Sequence, residues 1–98
     1  MKYFIRFDVF KTITNDAEVK QVREGVGKQI QHVQNSGKLV AGGIFANKRG
    51  GFMLLNIDKP FDIYELLGGA ILDKCDVEGH VVLSFEELGE FFRKYPIK

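Results

Sequence analysis

The chain has one cysteine, no tryptophan, two prolines and no excess of either charge. Each scarcity excludes something. Lone Cys75 cannot close an intrachain disulfide, in agreement with a reducing compartment. Nothing in the sequence shows what would lower its pKa, so it reads as a small buried hydrophobe rather than a nucleophile. The 14 Lys and Arg against 13 Asp and Glu leave a formal charge of +1. Affinity for nucleic acid depends on neutralising several phosphates and releasing their counterions, so this balance argues against such a partner. No apolar run approaches the roughly 20 residues that span a bilayer; the longest, such as Leu39 to Ala46, are strand-sized and contain glycines. The N-terminus enters a strand pattern directly, without the basic, apolar and small-residue succession of a secretory leader. The expectation is a cytoplasmic protein with no membrane partner.

What is present is sufficient for a core. With 98 residues, 45% of them hydrophobic and nine of them Phe, the chain fits one domain over residues 1–98 and leaves no room for a second. The 28% of charged residues argues against an aggregating surface and for a folded, soluble chain.

Periodicity sets the order of elements. Lys2 to Phe10 alternates as a strand. The capping residues of Thr12 to Asp16 precede Val19, Val22, Val26, Ile30 and Val33, spaced by three and four as on one face of a helix, and Asn35-Ser36-Gly37 supplies its stop. Gly25 and Gly27 inside that helix each cost about 1 kcal/mol relative to Ala, which signals local weakness or a close neighbour. Leu39 to Ala46 and Phe52 to Ile57 read as a hairpin joined by Asn47-Lys48-Arg49-Gly50-Gly51. Pro60 opens a second helix with Phe61, Ile63, Leu66, Leu67, Ala70 and Ile71 on its apolar side. A strand over Val77 to Ser84 follows, and Ser84-Phe85-Glu86-Glu87 is a capping box for a C-terminal helix over 85–95. The pattern predicts an α+β, ferredoxin-like βαββαβ domain. Its antiparallel sheet has strand order 4-1-3-2, with two helices on one face and an extra helix at the end.

In that arrangement the outer strands of the pattern become neighbours. Tyr3, Ile5, Phe7 and Val9 share one face of the first strand; Phe4, Arg6, Asp8 and Phe10 share the other. The last strand alternates Val77, Gly79, Val81 and Leu83 with Glu78, His80, Val82 and Ser84. The sheet face without helices therefore gathers Arg6, Asp8, Glu78 and His80 among Phe4, Phe10, Phe52, Leu54 and Val82. Such an apolar area is rarely left open in a soluble monomer, and a second copy of the sheet is its simplest cover. Proton-transfer chemistry fits these residue types. Asp8 or Glu78 would abstract a proton next to a carbonyl, His80 would return one, and Arg6 would hold a substrate carboxylate in bidentate fashion beside Phe4 and Phe52. The bland alternative is an Arg6-Asp8 or Arg6-Glu78 ion pair that neutralises charge in a dimer interface.

The chain resembles the muconolactone isomerase-like members of the dimeric ferredoxin-like α/β barrel superfamily over most of residues 2–85. The resemblance is carried by Phe4-Ile5-Arg6-Phe7-Asp8-Val9, Ser36-Gly37-Lys38-Leu39, Asn56-Ile57-Asp58 ahead of Leu66-Leu67, and Val77-Glu78. It implies dimers or larger rings and a cofactor-free site that moves a lactone double bond, with Arg6, Asp8 and Glu78 as the counterparts of site residues. The glycine-rich second strand, the Asn47 to Gly51 connection and the Phe-rich C-terminal helix depart from that family. Because many functions share the scaffold, a non-catalytic domain for self-association or ligand sensing stands as the alternative.

Other motifs carry less. His80, Glu78 and Asp8 lack diagnostic metal-ligand spacing, so no metal site is expected. His32 sits on the polar side of the long helix. Gly42-Gly43 to Gly50-Gly51 lacks the Gly-Lys-Ser/Thr ending of a P-loop and reads as hairpin geometry, with Lys48 and Arg49 in an exposed basic turn. Arg49-Gly50-Gly51-Phe52 echoes the third-strand signature of RNA-recognition domains, but Met53, Leu54 and Leu55 supply no stacking platform and Asp8 and Glu78 repel phosphate.

Overall fold

A computed structural model describes residues 1–97. The elements are β1 (Lys2–Val9), α1 (Asp16–Asn35), β2 (Leu39–Ile44), β3 (Gly50–Asn56), α2 (Asp62–Leu72), β4 (Cys75–Val82) and α3 (Phe85–Lys94). The four strands form one antiparallel sheet in the order β2-β3-β1-β4. A sheet can be counted from either edge, and from β4 the same arrangement runs 4-1-3-2. The architecture is α+β and compatible with a ferredoxin-like fold.

Local chemistry explains the helix limits. Asn15 caps α1 by accepting at Oδ1 from the backbone N–H groups of Ala17 (2.9 Å) and Glu18 (3.3 Å). At the other end the Ser36 N–H donates to Val33 O, and Gly37 takes φ 75°, where a side chain would be strained. The two glycines inside α1 separate in role. A Cβ at Gly25 would come within 3.1 Å of the Ala70 Cβ, so this glycine lets α1 and α2 approach closely, whereas Gly27 faces open space. α3 has the expected capping box: Ser84 Oγ accepts from the Glu87 N–H at 3.0 Å, and Glu87 Oε1 accepts from the Ser84 N–H at 3.1 Å.

β1 stops at Val9, β2 at Ile44 and β4 at Val82, one or two residues short of the expected ends, and α2 begins at Asp62 rather than at Pro60. Three further details differ from the expectation. Gly50 and Gly51 belong to β3 rather than to the turn, and neither has a positive φ. They are needed for proximity: a Cβ on Gly50 would strike the Phe7 carbonyl oxygen, and one on Gly51 would meet Gly43 O and the Phe7 ring. β4 starts at Cys75, two residues earlier than Val77, because its register with β1 runs on to the Val9–Cys75 pair. Finally, α2 is broken at Gly68 (φ 62°, ψ 177°), a backbone conformation open essentially to glycine alone. The Gln29 amide of α1 reaches across and donates to the carbonyls of Leu66 and Glu65 at that break.

The core lies on the odd-numbered face of β1. Ile5, Phe7, Met53 and Leu55 from the sheet meet Val33 of α1 and Leu66, Leu67 and Ile71 of α2, with Ile57 and Cys75 completing the cluster. Each such side chain contributes roughly 1.5–3 kcal/mol by leaving water. The opposite sheet face receives neither α1 nor α2. No residue of α3 is buried, and the molecule measures 58 × 27 × 22 Å.

Candidate functional site

The uncovered face is built by register. Arg6 pairs with Phe52 on β3 and with Glu78 on β4; Phe4 pairs with Leu54 and with His80; Asp8 pairs with Gly50 and with Asp76. Directly opposed residues in a sheet share a face. All six candidate residues, Phe4, Arg6, Asp8, Phe52, Glu78 and His80, thus lie on one surface across three adjacent strands. The Phe4 and Phe52 rings are stacked, with centroids 6.1 Å apart and planes inclined by 25°. Gly43 makes room for this, since a Cβ there would come within 3.3 Å of the Phe52 ring.

The charged groups divide into two sets. In the first, the Asp8 carboxylate is held by Lys48 Nζ at Oδ1 (3.0 Å) and by Arg6 Nε at Oδ2 (3.0 Å). Lys48 foremost, with Arg6 in support, holds the Asp8 carboxyl below its ordinary value, although burial opposes them and ranks second after Lys48. A carboxylate clamped by two cations is a weak proton acceptor, and its geometry suits fixing Arg6. With Nε committed to Asp8, the Nη groups of Arg6 have no protein acceptor among the described residues. The guanidinium carbon stands 5.2 Å from the Phe45 ring centroid, and Lys48 Nζ lies 5.6 Å from the same ring. In the second set, His80 Nε2 and Glu78 Oε1 are 3.2 Å apart, two residues along β4. Their side chains are 61% and 63% exposed, against 41% for Arg6 and 30% for Asp8, so in a single chain this pair meets solvent while the Arg6–Asp8 pair is half sheltered.

The surrounding basic turn is structural. Arg49 donates from Nη1 to Ile13 O (2.8 Å) and from Nη2 to Phe10 O (3.3 Å), tying the loop after β1 to the hairpin. Asp8 and Phe10 line an open cleft of about 690 Å³ with Lys48, Arg49 and Asp76, and Phe52 borders a smaller one of about 100 Å³ beneath β2. Arg6, Glu78 and His80 border neither. Among the described residues, no group of three or more His, Cys, Asp or Glu is gathered to hold a metal, and no helix is long and apolar enough to cross a membrane.

Sequence reasoning missed Phe45 and the Lys48–Asp8 ion pair. The parity of Ala41, Gly43 and Phe45 was a usable signal for the first. The second depends on how the hairpin turn folds back over β1, which no local pattern encodes. Cys75 is buried in the core, where desolvation, then the charges of Asp8 and Asp76, push its thiol up to about 11. No family model matches the chain, and no curated protein matches it.

Proposed function

We propose that the protein is a homodimeric α/β barrel of the muconolactone isomerase kind. In this reading the uncovered sheet faces of two copies enclose a small carboxylate-bearing molecule, and the site performs a cofactor-independent proton transfer on it. The observation that carries the reading is the convergence of Arg6, Glu78 and His80 beside the stacked Phe4–Phe52 pair on a face that no helix covers.

The roles follow from the partners. Asp8 positions Arg6, whose free Nη donors take the ligand carboxylate, and the two Phe rings receive its flat apolar part. Glu78 abstracts the proton from the carbon next to a carbonyl, and the electron pair moves into the conjugated system as an enolate. Protonated His80 delivers its proton to the remote carbon, which shifts the double bond. The proton on Glu78 then returns to His80 across the 3.2 Å contact, leaving both groups as they began. Closure by a second sheet supports this chemistry by removing the water that reaches Glu78 and His80 in a single chain.

The exposure of Glu78 and His80 also favours a second reading, a face that pairs or senses a ligand without turnover. Incubating the protein with an unsaturated γ-lactone bearing a carboxylate, and following double-bond migration by ultraviolet absorbance, separates the two. The enzymatic reading expects turnover that Glu78→Gln abolishes and that Arg6→Ala weakens chiefly through KM. Binding without turnover in the unmodified protein favours the sensing reading, and absence of both rejects the site.

A further inference from the structure

β4 is an edge strand whose outer side has no partner. The Val9 N–H donates to Arg49 O (2.9 Å) on the β3 side and the Phe10 N–H to Lys74 O (3.0 Å) on the β4 side, so even-numbered residues of β1 direct their backbone groups at β4. Through the pairs Phe4–His80, Arg6–Glu78 and Asp8–Asp76, the even-numbered residues of β4 bond to β1, and Val77, Gly79 and Val81 turn their N–H and C=O groups outward. Among the described residues nothing bonds to those outward groups. Val77 and Val81 are themselves 38% and 56% exposed. We infer that β4 pairs antiparallel with β4 of a second copy about a two-fold axis at Gly79, which joins the two sheets edge to edge.

Three observations select this occupant and this register. The first is the condition of the edge. β4 runs for 8 residues in unbroken register with β1 and carries no proline, lysine or bulge, the devices that usually keep strand edges apart. The opposite edge, β2, is interrupted by a register shift between Leu39 and Ala41. The second is backbone parity. A two-fold axis at a residue of β4 pairs positions of like parity, so outward groups meet outward groups and side chains keep their faces. With the axis at Gly79, Val77 meets the partner's Val81, and the two Gly79 residues meet each other, as hydrogen-bonded pairs. The third is charge. In that register Glu78 lies opposite the partner's His80 as a non-hydrogen-bonded pair, with Cα atoms about 4.5 Å apart and side chains at their closest. A carboxylate therefore meets an imidazole on either side of the axis. An axis at Val77 or Glu78 would oppose carboxylate to carboxylate, and one at His80 would oppose two imidazoles.

The edge contact leaves both sheet faces free, so it adds to the face-to-face pairing proposed above and does not depend on it. Val77→Cys and Val81→Cys are made in separate full-length chains, mixed, equilibrated and oxidised; buried Cys75 stays out of the reaction. A hydrogen-bonded pair holds its Cα atoms about 5.5 Å apart, within reach of a disulfide. The like positions of a single variant lie roughly 13 Å apart along the paired strands, beyond that reach. A cross-linked dimer that forms in the mixture, and in neither variant alone, is the expected result. It should persist when both chains also carry Phe4→Asp, which opposes face pairing. No cross-link in the mixture, equal cross-linking in the single variants, or loss of the cross-link with Phe4→Asp overturns the edge contact. Val77→Pro gives a second readout without cysteine chemistry, because it deletes an outward N–H and spares the ladder to β1. Light scattering should then show a smaller mass than the parent's, with the parent's circular dichroism retained, and an unchanged mass overturns the edge contact.

Discussion

Asp8 illustrates how one residue changes meaning once its partners are known. As a sequence position it is a candidate base; between Lys48 and Arg6 it is a fixed anion. Its carboxyl lies below the ordinary value of 3.8 in the folded chain, so folding favours the ionised form. The associated stability is present in full above the unfolded value and is lost as pH falls through the folded one. Denaturant titrations from pH 7 to pH 2 are therefore expected to show Asp8→Asn destabilised at neutral pH and converging on the parent at the acid end. A constant difference across that range would detach the effect from ionisation. Cys75 gives a second prediction at this scale. With its thiol at about 11, roughly one molecule in a thousand is thiolate at pH 8. An aromatic disulfide reagent should label the native protein far more slowly than the guanidinium-unfolded chain, and equal rates would contradict the burial.

At the scale of elements, α2 makes the sharpest case. Gly68 holds φ 62° and ψ 177°, and a Cβ there would run into the Gln29 amide. Gly68→Ala should cost about 1–3 kcal/mol from backbone strain, with the loss of the Gln29 hydrogen bonds in addition. Its neighbour Gly69 is ordinary helix, and a Cβ would meet only the mobile end of Asp73. Gly69→Ala should stay within about 1 kcal/mol of the parent or exceed it. Urea unfolding of the two variants checks the contrast, and similar losses in both would dismiss the special role of Gly68. The same helix shows what a sequence does and does not disclose. The limits of α1 and α3 were legible because Asn15, Gly37 and the Ser84–Glu87 box act on backbone groups within a few residues of themselves. The break in α2 was not, since Gly68-Gly69 satisfies the helical pattern and only the distant Gln29 gives the freed carbonyls a donor. Gly50 and Gly51 were misassigned to a turn for the related reason that their cause, the Phe7 backbone and ring, belongs to another strand. Alternation placed Arg6, Glu78 and His80 on one face, since side-chain parity survives folding. The commitment of Arg6 to Asp8 instead of Glu78 was left open by alternation, because both carboxylates share its face.

Across the whole molecule the apolar surface is unevenly used. A compact chain of this length has a radius of gyration of about 13 Å, whereas this one has 16.1 Å, consistent with an end helix in which no residue is fully buried. One sheet face is packed and the other holds Phe4, Phe52 and Leu54 only half buried. If two copies cover that face, association and folding are linked by mass action, and the midpoint of thermal unfolding should rise with protein concentration. Phe4→Asp tests the linkage without touching the core, because Phe4 lies outside the buried cluster. The variant would place a carboxylate where the partner sheet has to pack, opposing assembly by the cost of burying an unpaired charge. The expected outcome is a smaller mass than the parent's by light scattering and a midpoint that depends less on concentration, with the circular dichroism of the parent retained. A parent midpoint that is flat from micromolar to millimolar concentration would mean that the face is open in solution. Glu78 and His80 would then work, if at all, in full contact with water.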